Sequence, residues 1–407
     1  MPVNVLMISP GYPAEMPLFA AGLARVGARV YGIGDQPEGA LPETARHALA
    51  GYVQASNLWR ESETVDLVRR MAASVAFDRV ECLWEPGILL AARIREALGV
   101  PGMKIEQAEL FRDKEKMKGA LDAAGLRTPL HRRATTMTEC RAAAEEIGFP
   151  LIVKPIAGAG SADTHRVDDK NELEAVLGRL GHIAEVSVEE FIDGEEYTFD
   201  TVSIDGGIAY FNVSWYRPPP LIARTVEWVS PQTLALRHVD DPELASGIAL
   251  GRGVLEALGY RTGFTHMEWF LKADGEAVFG EIGARPPGAR SVDLMNYASD
   301  IDLFTGWGEA VALRSFSQRV ERRYNSAVIF KRAQGRGRIQ HIEGLELLAH
   351  RFGHAIVAAD LLPVGAHRRD WKQTLLSDGW VFVRHPDLGL TMEIADRVGI
   401  DLQLYAS

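Results

Sequence analysis

In the stretch Thr265 to Gly288, T-H-M-E-W-F-L-K-A-D-G-E-A-V-F-G-E-I-G-A-R-P-P-G, residue type and spacing point most directly to chemistry. Asp274-Gly275 between two apolar-rich runs signals a tight hairpin. Counting back from a two-residue loop that pairs Ala273 with Glu276 sets Phe270 opposite Phe279 and Glu268 opposite Glu281. Like charges facing each other at a Cβ spacing of about 5 Å destabilise a hairpin unless a cation lies between them. Oxygen ligands with no cysteine nearby suit magnesium, which is bound through one or two carboxylates and substrate phosphates. A one-residue bulge would break the register and leave both glutamates solvated. His266 falls on the same face, where a packed or surface histidine is commoner than a ligand.

Upstream, Lys154 ends the strand-like run L-I-V-K-P and precedes Ala157-Gly158-Ala159-Gly160-Ser161. Small residues let backbone N–H groups approach phosphate oxygens, and a lysine beside them supplies a point charge. A glycine-rich hairpin turn fits the same residues. Lys114, in R-D-K-E-K-M, reads by itself as a solvated helix lysine, and Glu189 to Ile192 followed by Gly194-Glu195-Glu196 as an edge strand and turn.

These residues need elements to position them. Strand Val3 to Ser9, helix Leu18 to Val26 and strand Arg29 to Ile33 open the chain as a β-α-β unit, and Arg79 to Trp84 with helix Ile88 to Leu98 repeats the alternation, which implies a parallel sheet flanked by helices. A charged helix over Arg112 to Ala124 stops at Gly125. Strands then dominate: Leu151 to Ile156, Val186 to Ile192, Tyr197 to Ile204 and Ile208 to Trp215, with one helix, Asn171 to Leu180, opened by Asp169 and Glu172 at capping-box spacing. Pro218 to Pro220 lead into Leu221 to Ser230, expected as a mobile loop at the edge of a site. Short strands at Ala327 to Lys331, Arg338 to Ile342 and Gly379 to Arg384 suggest a small C-terminal domain.

The 407 residues, 47% hydrophobic and 24% charged, are ordinary for a folded protein of two or three domains. A formal charge of -11 disfavours nucleic acid as a partner. Cys82 and Cys140 make neither a disulfide scaffold nor a zinc knuckle, no apolar run is long enough for a membrane span, and the expected location is the cytoplasm. G-x-G-x-x-G and G-x-x-x-x-G-K-[ST] are both missing from the sequence. The arginines at 319, 322, 323, 332, 336 and 338 lack regularly interleaved aromatics and read as solvated, and Trp59, Trp307, Trp371 and Trp380 read as packing residues.

Taken together, the helix lysine, L-I-V-K-P with its glycine loop, V-E-E-F-I-D-G-E-E and the paired glutamates closing in E-I-G-A-R-P-P-G resemble the ATP-grasp superfamily in order and spacing, over roughly Glu106 to Thr305. The flanking regions are similar to the biotin carboxylase-type arrangement, with a C-terminal domain of the sort seen in L-amino acid ligases. The resemblance implies an α/β and α+β multidomain fold: a Rossmann-like N-terminal domain over 1–105, an ATP-grasp core over 106–310 and a small C-terminal α+β domain over 311–407. It further implies that Lys114 and Lys154 hold the α- and β-phosphates of ATP and that the Gly158, Gly160, Ser161 loop closes over the β- and γ-phosphates. Glu189 would accept from the adenine amino group, the backbone of Phe191 and Ile192 would read the ring edge, and Glu196 would bind the ribose. Glu268 and Glu281 would carry magnesium, with manganese as an alternative, and Arg285 would stabilise the transferred phosphoryl group. Many relatives have Asn two residues after the second glutamate; Gly283 stands there, which leaves one or two ions open.

The chemistry so implied is an ADP-forming carboxylate-amine ligase acting through an acyl phosphate, for example on amino acids. Arg290, Arg224 and His266 are candidates for gripping substrate carboxylates. The alternatives are a bicarbonate-using carboxylase subunit and a non-catalytic ATP-binding module. The expected partners are small-molecule carboxylate and amine substrates and a second copy in a homodimer.

Overall fold

The computed structural model describes residues 2–156, 163–180, 184–374 and 376–407. The N-terminal strands are β1 (Asn4–Ile8), β2 (Arg29–Gly34), β3 (Leu49–Gln54) and β4 (Arg79–Glu81), all parallel in the order β3-β2-β1-β4. Val5 to Met7 are fully buried, as expected for a strand covered on both faces by helices. On one face the helix Met16–Arg25 docks against the helix Leu303–Gly308, far along the chain. Gly22 permits that contact, since a Cβ there would lie 2.1 Å from the Phe304 carbonyl oxygen. Gly22→Ala must therefore push two backbones apart, and we expect it to lower the melting temperature by about 5 °C or more, read by calorimetry.

A second sheet, antiparallel, is built from β5 (His131–Ala134), β6 (Leu151–Pro155), β7 (His165–Val167) and β8 (Val186–Glu190) in the order β5-β8-β6-β7. Helices Met137–Ile147 and Lys170–Leu180 cover one face and enclose a small core around Val153, Val188, Leu173 and Val176. The first of them begins with a capping box between Thr136 and Glu139. In the second, the Asp169 side chain accepts from the N–H groups of Asn171 and Glu172, as the sequence spacing predicts.

The largest sheet has eight strands. It contains β9 (Glu195–Ile204), β10 (Gly207–Arg217), β11 (Gln232–Ala235), β12 (Gly263–Leu271), β13 (Ala277–Gly283), β14 (Asn325–Phe330), β17 (Ile356–Leu361) and β18 (Gly379–His385) in the order β13-β12-β9-β10-β11-β14-β18-β17. A three-stranded sheet of β15 (Gln334–Gly335), β16 (Ile339–Glu343) and β19 (Gln403–Ala406) completes the C-terminal part. From the region expected as a small C-terminal domain over 311–407, β14, β18 and β17 extend the sheet that begins with the paired-glutamate hairpin. The reason lies in β14, N-S-A-V-I-F, which is buried at all six positions and needs a neighbour on each edge; it finds β11 and β18.

One correction concerns Leu221 to Ser230. Pro220–Thr225 form a short helix instead of a loop, with Pro219 as N-cap and proline in the first turn. Its last carbonyls are taken up by Arg332, which donates to Ala223, Val226 and Glu227. That arginine, expected on a solvated face, is 9% exposed.

Beside it, Lys331 is 2% exposed and donates to Ser230 Oγ at 2.9 Å and to the Gly399 carbonyl at 2.5 Å. Burial draws its ammonium down to about 8. A lysine lowered in the folded state binds fewer protons than in the unfolded chain between its folded value and about 10.4, so its contribution to stability rises with pH across that interval. Relative to Lys331→Met, which has nothing to titrate there, the wild-type melting temperature should improve between about pH 8 and 10.5.

Candidate active site

The carboxylate pair is where the hairpin predicts it, although the route differs. The loop has three residues, with the Lys272 N–H donating to Glu276 at 3.0 Å and Gly275 at φ +85°. Next to the turn, Trp269 therefore faces Phe279 and Phe270 faces Val278, which corrects the expected Phe270–Phe279 pair. Gly280 then bulges out, and Glu268 faces Glu281. A side chain on Gly280 would meet the Glu268 carbonyl at 2.8 Å, so the bulge suits glycine. Two one-residue offsets, at the loop and at the bulge, cancel.

On β9, which pairs with β12 on its other edge, Asp200 lies opposite His266 and Glu196 opposite Phe270. His266 is 8% exposed; its Nδ1 is 2.6 Å from Asp200 and its Nε2 3.5 Å from Glu268. Burial alone would favour the neutral ring, but the two carboxylates outweigh it and bring the imidazole up to about 9. Tyr216 donates to Glu268 Oε1 at 3.2 Å. Burial raises Glu268, yet His266 and Tyr216 hold it below the ordinary carboxylate range, while burial and the Glu268 charge push Glu196 well above it.

Opposite these strands lie the cations. Lys114 opens the helix Lys114–Ala123, whose N-cap Asp113 accepts from two backbone N–H groups, and its Nζ is 3.1 Å from Glu281 Oε1. Lys154, on β6, lies 2.8 Å from Glu189 Oε2, and Lys118, one helical turn after Lys114, lies 2.5 Å from Glu189 Oε1. Burial opposes charge on Glu189, but the two lysines hold it far below the ordinary range. Glu189, to which the resemblance gives the adenine amino group, thus has an ammonium on each oxygen. Lys118 is absent from the reading of the sequence; its signal is the i, i+4 spacing from Lys114, which places both on one helix face.

These residues border two adjoining cavities. A cleft of about 570 Å³ is lined by Lys114, Lys154, Phe191, Ile192, Glu196 and the glutamate pair, bringing together most of the residues that the resemblance assigns to the nucleotide. The Phe191 ring carries the Arg166 guanidinium at 4.2 Å, and the Phe191 N–H donates to Pro150, so it is committed within the protein. Gly158, Gly160 and Ser161 lie outside the described residues. The second cavity, about 170 Å³, shares Glu268 and Glu281 with the first and adds His266, Arg285, Arg224 and Arg332. Arg290 lines neither: its Nε is 3.2 Å from Asp293 and its guanidinium covers Trp380.

Arg285 is oriented from another part of the chain. Its Nε donates at 2.6 Å to Glu85, which follows β4 of the N-terminal sheet and is also held by Arg112 at 2.5 Å. A Cβ on Gly283 would lie 3.0 Å from Glu85 Oε2 and 3.3 Å from Arg285 Cγ, so the place of the relatives' asparagine borders this ion pair.

The donor set fits a hard divalent cation. Glu268 Oε1 is engaged by Tyr216 and His266 and Glu281 Oε1 by Lys114, which holds two carboxylates face to face across the hairpin. Among the described residues no group of three or more His, Cys, Asp or Glu is arranged for an all-protein metal cage. That suits an ion whose remaining ligands are water and phosphate.

A family model for the ATP-grasp domain matches residues 111–214. The alanine–anticapsin ligase of Bacillus subtilis is 29% identical over 267 residues, 60% of this chain and 56% of that protein. The L-arginine-specific L-amino acid ligase of Bacillus subtilis is 29% identical over 235 residues, 56% of each chain. The chain therefore spans a little over half the length of these curated relatives. The crystal structure of an L-amino acid ligase from Bacillus licheniformis superposes with a TM-score of 0.81 at 23% identity, over 100% of this chain and 99% of that one, a likeness of fold. No helix among the described residues is long and apolar enough to cross a membrane. Residues 111–214 of this chain thus match the ATP-grasp domain, and the cleft beside them gathers the lysines and the glutamate pair.

Proposed function

We propose that the protein is an ADP-forming carboxylate-amine ligase that takes ATP in the larger cavity and its carboxylate and amine in the smaller one. The observation that carries this reading is that the two cavities meet at Glu268 and Glu281, flanked by Lys114 and Arg285. A carboxylate oxygen would attack the γ-phosphorus, the bond to the bridging oxygen would break, and ADP would leave with that electron pair. The amine nitrogen would then attack the acyl carbon, forming the C–N bond as inorganic phosphate departs and the nitrogen loses a proton. Lys114 and Lys154 contribute charge against the phosphates, and Arg285 faces the oxygen atoms that gain charge in both steps. Glu268 and Glu281 would hold magnesium, which neutralises and orients the transferred phosphoryl group. Phe191 and Ile192 would border the adenine and Glu196 the ribose, while Glu189 acts in this reading as the buried counter-ion that fixes Lys154. The loop of Gly158, Gly160 and Ser161 would exclude water above the phosphates.

The test is ADP release by the purified protein with magnesium and ATP against a matrix of amino acids and small carboxylic acids. Release that requires both a carboxylate and an amine supports the ligase. Release driven by bicarbonate alone would transfer the reading to a carboxylase, and ATP binding without release from any pair would overturn it in favour of a sensor.

A further inference from the structure

The smaller cavity holds a charge imbalance that the proposed reaction does not use. Four guanidinium groups lie in or near its wall. Arg285 is matched by Glu85, and Arg368, behind the wall, takes Glu227 at 2.7 Å and Asp378 at 3.4 Å. Arg224 and Arg332 have no carboxylate within ion-pair distance among the described residues. Arg224 makes a single 3.4 Å hydrogen bond to the Lys372 carbonyl. Arg332 lies flat on the Trp371 ring at 4.4 Å, spends its terminal nitrogens on the three helix-end carbonyls, and leaves its Nε, fully enclosed, without an acceptor. Burial lowers both groups; at Arg224 the Glu268 charge works against that, and at Arg332, which stands at about 10, the Arg224 charge adds to it.

Two guanidinium groups, one half-buried and one buried, line the same cavity with backbone carbonyls as their hydrogen-bond acceptors and no carboxylate of the described residues at ion-pair distance, so a ligand that brings negative charge is favoured there. The planar fork of a guanidinium matches the two oxygens of a carboxylate, as it does those of a phosphate. One carboxylate would leave one of the two charges uncompensated. The remaining wall mixes apolar residues, Pro231, Pro287 and Phe330 among them, with the polar side chains of Tyr216, Gln232 and Thr233, and its volume of about 170 Å³ leaves room for a compact ligand. We propose that Arg224 and Arg332 form an anion subsite that selects an acidic amino acid as the amine acceptor, its α-carboxylate and side-chain carboxylate matching the two guanidinium groups. The proposal rests on the ligase reading and deepens it, and it makes these arginines determinants of specificity.

The probes are L-glutamate and its neutral isostere L-glutamine as acceptors, with hydroxylamine as a small uncharged trap for the acyl phosphate. With wild-type protein and a fixed carboxylate donor, kcat/KM for glutamate should exceed that for glutamine by about 10-fold or more, the range that charge-assisted hydrogen bonds supply. In Arg224→Gln this ratio should fall towards one, chiefly through KM for glutamate. In Arg332→Lys, which keeps charge but not the planar fork, it should take an intermediate value. The ratio is internal, so partial loss of folded protein does not change it. Equal use of glutamate and glutamine by the wild type would overturn the subsite. So would a ratio that survives in Arg224→Gln while KM for ATP rises, since the arginine would then serve phosphate. Hydroxamate formation by the wild type separates the two levels of inference: its presence without discrimination sinks the subsite alone, and its absence with every donor sinks the ligase reading and the subsite with it.

Discussion

Glu281→Gln should reduce ATP-dependent ADP release by about 10³-fold or more with every substrate pair, while the melting temperature stays within about 2 °C of wild type. The substitution keeps the shape of the side chain and its place on β13 but removes one of the two charges that face each other across the hairpin. It acts on three things together: the proposed ligand for a divalent cation, the counter-charge of Lys114 at 3.1 Å, and the field that both cavities share. Because Glu281 is only partly buried and faces a like charge, the fold loses little; relief from Glu268 offsets the weakened contact to Lys114. Steady-state ADP release and calorimetry on the same preparation check both halves. Turnover retained to within about 10-fold would remove Glu281 from the site chemistry.

Glu85→Gln is expected to act from the N-terminal sheet. Glu85 is 7% exposed and sits between Arg112 and Arg285, which hold its carboxyl below the ordinary range against the effect of burial. A glutamine in its place leaves two guanidinium groups in a closed site with one neutral acceptor, so Arg285 loses the contact that aims it. We expect kcat to fall by about 10²-fold, with KM for ATP within a few-fold of wild type because Glu85 does not line the nucleotide cleft. Glu85→Asp, which keeps the charge, should recover part of the loss. A melting temperature lowered by several degrees would accompany the glutamine variant, so the split between kcat and KM separates loss of aim from loss of fold. An unchanged kcat would assign Arg285 its orientation by other means.

Much of this site is legible in short sequence signals, and the misses have identifiable causes. The D-G turn and the alternation around it predict the Glu268–Glu281 pair correctly only because the three-residue loop and the bulge at Gly280 offset each other, and the turn residues encode neither. The capped helix carrying Lys114 is legible from Asp113 and Gly125, whereas the second lysine on its face acquires meaning only when Glu189, from a different sheet, enters between Lys118 and Lys154. Gly283 reads from the sequence as a missing ligand. In the folded chain it also borders the Glu85–Arg285 pair.

The clearest contrast is among the arginines. Arg290 and Arg332 are equally plain in the sequence, one in the loop after the glutamates and the other in a basic run, yet the first is tied to Asp293 and Trp380 and the second is enclosed beside the smaller cavity. Local patterning by itself determined most of the strands and the paired carboxylates, because turn residues, caps and two-residue alternation act over a few positions, while the class of chemistry follows from the resemblance of the ordered motifs to the ATP-grasp superfamily. Partnership and desolvation of charge were decided only by the tertiary structure, because they depend on which distant segments, such as Glu85 and the helix Pro220–Thr225, are brought within a few ångströms of a guanidinium group.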